Sequence, residues 1–131
     1  MAPSVTRIIL VGAAVVLVFD ATASLLLLWL GGSLVWMFLG EGLVYFAVGF
    51  AGGRIGGLRA GARCGATVAA IDATVGWAIT WAIGTGGVSR LTLVSAAFIL
   101  VVMITTGALA GAAGAFGARL LARRPRPRTH Q

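Results

Sequence analysis

The chain reads as an all-α integral membrane protein: a four-helix bundle of two antiparallel hairpins, with both termini cytoplasmic. Three observations predict this. Hydrophobic residues make up 60% of the 131 residues and charged residues only 10%, at a mean hydropathy of +1.04, too apolar for a soluble domain that must show water a polar surface. The apolar residues fall in four long runs, and a helix needs about 20 such residues to cross a bilayer. Finally, Arg7, Arg54, Arg59, Arg63, Arg119, Arg123, Arg124, Arg126 and Arg128 flank the runs on one side, against Arg90 alone on the other. That asymmetry is a positive-inside signal.

The first span, 8–30, is interrupted only by Asp20. Its basic start and its Ala21-Thr22-Ala23 triplet imitate a signal peptide, but the apolar run continues past the triplet and ends at a turn, as a spanning helix does. Gly31, Gly32 and Ser33 leave room only for a tight helical hairpin. The second span, 34–53, carries Glu41.

A cytoplasmic connector, 52–63, follows, rich in glycine and holding Arg54, Arg59 and Arg63. Three arginines within ten residues belong at a membrane surface, not in hydrocarbon. Glycines recur every fourth residue at Gly49, Gly53, Gly57, Gly61 and Gly65, so any helical stretch here carries one bare ridge. The third span, 62–83, contains Asp72, and 84–90 is the next turn. The fourth, 91–118, is uncharged and long enough to tilt or protrude. Gly107 and Gly111 in it have the spacing that admits a second helix closely, within the bundle or in a dimer. Residues 119–131 form a basic cytoplasmic tail with the composition of a disordered segment. The four tryptophans, Trp29, Trp36, Trp77 and Trp81, lie toward the ends away from the arginines, as an aromatic belt requires.

The first and third spans resemble one another. A shift of 52 residues aligns Asp20-Ala21-Thr22 with Asp72-Ala73-Thr74, Arg7 with Arg59 and Trp29 with Trp81. The chain has no other aspartate. Copies running the same way imply two hairpins related by an axis along the membrane normal, a parallel pseudo-repeat.

Counting from the span ends puts Asp20, Glu41 and Asp72 near the middle of the bilayer, with Thr22, Thr74 and Tyr45 at about the same depth. The spans offer these acids no basic partner. Each costs about 2.5 kcal/mol or more on insertion scales, so an acid there is a functional-site hypothesis by default. These six residues are the proton- or cation-binding candidates. The structural alternative is a neutral aspartic acid tying two helices through a threonine. Arg54, Arg59 and Arg63 suit anionic lipid headgroups as well as topological anchoring. Gly49, Gly53, Gly107 and Gly111 are the helix-packing candidates.

Other chemistry is not expected. His130 is the single histidine and lies in the tail, so no span supplies a haem or imidazole metal ligand. Cys64 has no second cysteine or nearby histidine to make a disulfide, metal pair or activated nucleophile. The connector lacks the spacing of a dinucleotide fingerprint and the Lys-Ser/Thr of a phosphate loop. No catalytic residue, metal or cofactor is expected, and the chain is not read as an enzyme. Although a pI near 11.8 would suit nucleic acid in a soluble protein, the arginines flank spans, and the bilayer is the expected partner.

In size, four spans and glycine-arginine connector the chain resembles small uncharacterised four-helix bacterial membrane proteins. Asp20 is similar in placement to the first-span carboxylate of small multidrug transporters, from which Glu41, Asp72 and the repeat depart. Fluoride channels of similar length rely on an asparagine, and this chain has none. Two functions follow as expectations: a homo-oligomeric proton- or cation-linked transporter or channel of the cell membrane, or a non-catalytic accessory or assembly subunit of a larger membrane complex.

Overall fold

A computed structural model describes residues 4–31, 35–84 and 93–122. Residues 32–34 and 85–92, where turns are expected, Arg90 among them, and the basic tail from 123 onward lie outside the described residues. Within them the chain is helical: α1 (Val5–Leu30), α2 (Val35–Ile71), a π-helical turn (Asp72–Gly76), α3 (Trp77–Ile83) and α4 (Leu93–Ala122). Three stretches are long and apolar enough to cross a membrane, Val5–Leu30, Val35–Ile83 and Val94–Ala122.

α1 begins at Ser4, whose hydroxyl accepts from the Arg7 amide at 3.3 Å, a standard N-cap that satisfies one of the free first-turn donors. It ends at Gly31, whose amide donates to the Leu27 carbonyl. The segment expected as a connector, 52–63, is largely helical. Helix runs through it, broken only at Gly57, where φ is 72° and ψ is −163°. That conformation belongs to glycine, because a Cβ would collide with the backbone. One residue is therefore enough to reverse the chain. Tyr45 reaches Asp72, a methyl at Gly52 would stand 2.7 Å from Cys64 Sγ, and one at Gly61 would stand 2.7 Å from the Gly49 carbonyl oxygen. Residues 35–56 and 58–83 thus lie side by side as two antiparallel arms.

The single glycine ridge expected from 49 to 65 is consequently split between the arms, and both halves face α4. A Cβ on Gly49 would fall on the backbone of Gly111, and one on Gly53 on Ala115. One on Gly61 would meet Ala115 and the Gly111 carbonyl, and one on Gly65 would meet Gly107 and Gly111. Gly107 in turn lies against Ala69 and the Gly65 carbonyl. In lipid, where no hydrophobic drive operates between helices, such close approach is what supplies the attraction. α4 stays helical to Ala122, four residues past the expected end of the fourth span.

α1 lies against the hairpin's other face, with Gly12 under Val48 and Val68. A core of Val16, Tyr45, Val48, Cys64, Val68 and Ala69 joins α1 to both arms. Among the described residues the backbones of α1 and α4 do not approach one another. The cross-section is a diamond, with the two arms on its short diagonal. A two-fold relating two equivalent hairpins would match the close packing of the arms with an equal approach of α1 to α4. The aspartates of the two Asp-Ala-Thr segments meet, but the helices around them are not equivalent.

Candidate functional site

The acids come from three helical segments. Asp20 is on the inward stripe of α1 with Gly12, Ala13, Val16 and Ser24, all buried, the i, i+3, i+4 spacing of one helix face. Glu41 and Tyr45, one turn apart, project from the first arm. Asp72 opens the π-helical turn, where the amide of Trp77 donates to the Asp72 carbonyl five residues back. Such bulges insert an extra residue into a helix and recur at functional sites.

The three side chains converge. Asp20 and Asp72 are each 2% exposed and Glu41 is 7% exposed, and one carboxylate oxygen from each lies within 4.8 Å of the other two. The Tyr45 hydroxyl donates to Asp72 Oδ2. A Cβ on Gly76 would overlap both Asp20 Oδ2 and Asp72 Oδ1. Glycine at 76 therefore leaves the space in which the two aspartates face each other. Among the described residues neither oxygen of Asp20 has a hydrogen-bond partner, nor does Ser24 Oγ, one turn along α1 and fully buried.

Two like charges at this separation repel by roughly 3–4 kcal/mol at an effective dielectric constant of 20. The chain's side-chain carboxylates number three and all are here, whereas Arg7, Arg54, Arg59, Arg63 and Arg119 are exposed at the ends of the helices. A proton or a cation must therefore supply the compensating charge. A hard cation holds oxygens at about 2.3–2.6 Å, so its ligands can stand up to about twice that apart. The spacing of the triad suits either occupant.

Thr22 and Thr74 are not brought to the site. Both are exposed, Thr22 donating to the Val18 carbonyl at 2.8 Å and Thr74 to those of Ala70 and Ile71. Two residues along a helix is roughly 200° around it, so a threonine two beyond an inward aspartate faces out. The buried hydroxyls beside the acids are Tyr45 and Ser24. Ser24 and Gly76 escaped the sequence reading, yet each sits four residues after an aspartate, and 24 and 76 are themselves 52 apart. The i, i+4 rule applied to the repeat would have found both.

The chain matches no protein-family model, and no curated protein or solved structure matches it.

Proposed function

We propose that this protein is a four-span membrane protein, termini inside, that binds protons or a cation at the Asp20–Glu41–Asp72 triad and serves as a small proton- or cation-linked transporter or channel. In this reading each arm of the Gly57 hairpin crosses the bilayer, which places the triad near its middle. The observation that carries the proposal is the convergence of three buried carboxyls, with both Asp20 oxygens unpartnered among the described residues, in an interior without a basic side chain. Carboxyls serving only to tie helices would spend their oxygens on neighbouring donors. Asp72 does so through Tyr45, whereas Asp20 faces only another carboxyl, that of Asp72.

The acids alternate between protonated and cation-bound forms, so the site stays close to neutral in a medium that tolerates little net charge. Tyr45 orients Asp72, Ser24 offers a further oxygen, and Gly76 keeps the aspartates in reach of one ion. The test is flux into liposomes carrying purified protein, with sodium, potassium, calcium and proton gradients imposed in turn. Asp20→Asn and Asp72→Asn should each cut the flux at least tenfold while helicity and oligomeric state match wild type. Flux that survives both substitutions overturns the proposal. If wild type carries none and extracts with a second protein that the variants release, the accessory-subunit function replaces it.

A further inference from the structure

At the arginine-bearing end a cavity of about 500 Å³ opens between the first arm of α2 and the last turns of α4, lined by Phe50, Gly53, Arg54, Ala118, Arg119 and Leu121. Its two guanidiniums come from helices that Gly53 and Ala115 hold in close contact. Arg119 reaches over the chain reversal, since a Cβ on Gly57 would stand 3.2 Å from its Nη2. Both arginines are exposed. All three side-chain carboxylates are buried in the triad, so this end has none to offer them. An external anion is a fitting counter-charge for the two guanidiniums.

We propose that this cavity binds one anionic phospholipid, its phosphate between Arg54 and Arg119 and an acyl chain running along Phe50. A guanidinium fork fits phosphate oxygens in pairs, which an ammonium cannot do. Basic pockets between helices at the membrane surface are suited to anionic headgroups. The apolar side of the cavity decides for a lipid over a free phosphate. Phe50, one turn before Arg54 on the first arm, lies on the hydrocarbon side of the guanidiniums, where a soluble anion gains nothing from it. Arg59 and Arg63, which sequence alone grouped with Arg54, line no part of this cavity. The site is independent of the triad.

The test is native mass spectrometry of the full chain released from detergent with phosphatidylglycerol or phosphatidylcholine. Wild type should retain one phosphatidylglycerol in preference to phosphatidylcholine. The double variant Arg54→Gln, Arg119→Gln should lose at least fivefold of that adduct, and Arg59→Gln, Arg63→Gln should keep it within twofold. Equal loss in both variants would mean diffuse surface charge, and no loss in the first would mean the lipid sits elsewhere. Either result overturns the assignment. So does displacement of the lipid by millimolar inorganic phosphate, which would mark a site for a free anion. Should the first variant fail to fold, wild type is labelled with a phosphatidylglycerol carrying a photoreactive acyl chain. Label on the peptide holding Phe50 supports the site, and label confined to other segments overturns it.

Discussion

Among single residues Gly76 makes the sharpest prediction, because it contributes space and no chemical group. A methyl there overlaps an oxygen of Asp20 and an oxygen of Asp72, so Gly76→Ala must push the carboxyls apart. Overpacking of this kind costs roughly 1–3 kcal/mol, and the cation-dependent flux should fall at least tenfold with all three acids still present. Flux at the wild-type level would mean the aspartates do not act together. Tyr45→Phe, by contrast, removes one donor from Asp72. Hydrogen bonds between helices in a bilayer average about 0.6 kcal/mol and reach about 1.7, since the unfolded chain also finds partners there. The expected effect is a small loss of thermal stability with a larger effect on flux, and a loss of several kcal/mol would make Tyr45 structural. The acids were legible in sequence because charge is rare in a span and depth can be counted. Of their neighbours depth found Tyr45 but misassigned the rest, because depth alone says nothing of azimuth: Thr22 and Thr74 share the level of the aspartates but point away, while Ser24 and Gly76, which the i, i+4 spacing marks, share their face.

At the scale of elements, everything depends on the reversal at Gly57. Five glycines in perfect register gave no hint which would leave the helix, since all five are equally permissive. What singles out Gly57 is tertiary: only a turn there lets the 49–53 ridge and the 61–65 ridge both seat on Gly107, Gly111 and Ala115 of α4. Packing at small residues was readable from spacing, but its being satisfied between helices of one chain was not. Gly57→Ala puts a Cβ on a residue at φ 72° and ψ −163°, at a cost of about 1–3 kcal/mol. The Arg119 end nearby is flexible and can give way. Gly42 is the control, being helical with nothing within 4 Å of an added Cβ. Gly42→Ala should leave the melting temperature at or slightly above wild type, a helix-interior alanine being favoured over glycine. Melting of the two variants in one detergent checks this, and equal melting would mean that Gly57 is not the strained point.

Among the described residues the molecule separates its charges: acids inside, arginines at one end. Arg7 opens α1, Arg54, Arg59 and Arg63 surround the reversal, and Arg119 closes α4, while exposed Trp29, Trp36 and Trp81 lie toward the opposite ends of their helices. Sequence gave this polarity directly, since arginine placement is a local property. It did not give the diamond arrangement, because the 52-residue similarity encodes two like segments without saying that α1 and α4 will sit on opposite faces of one hairpin. The proposed orientation rests on this polarity. Arginines resist transfer across the bilayer during insertion, so in that reading the end that bears Arg7, Arg54, Arg59, Arg63 and Arg119 stays inside. The native Cys64 is fully buried and should be silent to a membrane-impermeant thiol reagent, which leaves single introduced cysteines readable. Leu30→Cys, at a position 78% exposed on the far end of α1, should label in intact cells. Ser4→Cys, exposed at the near end, should label only after the membrane is permeabilised. The reverse pattern would place the arginine end outside. Labelling of both positions in intact cells would mean that α1 does not cross at all, and the triad would then lie outside the bilayer.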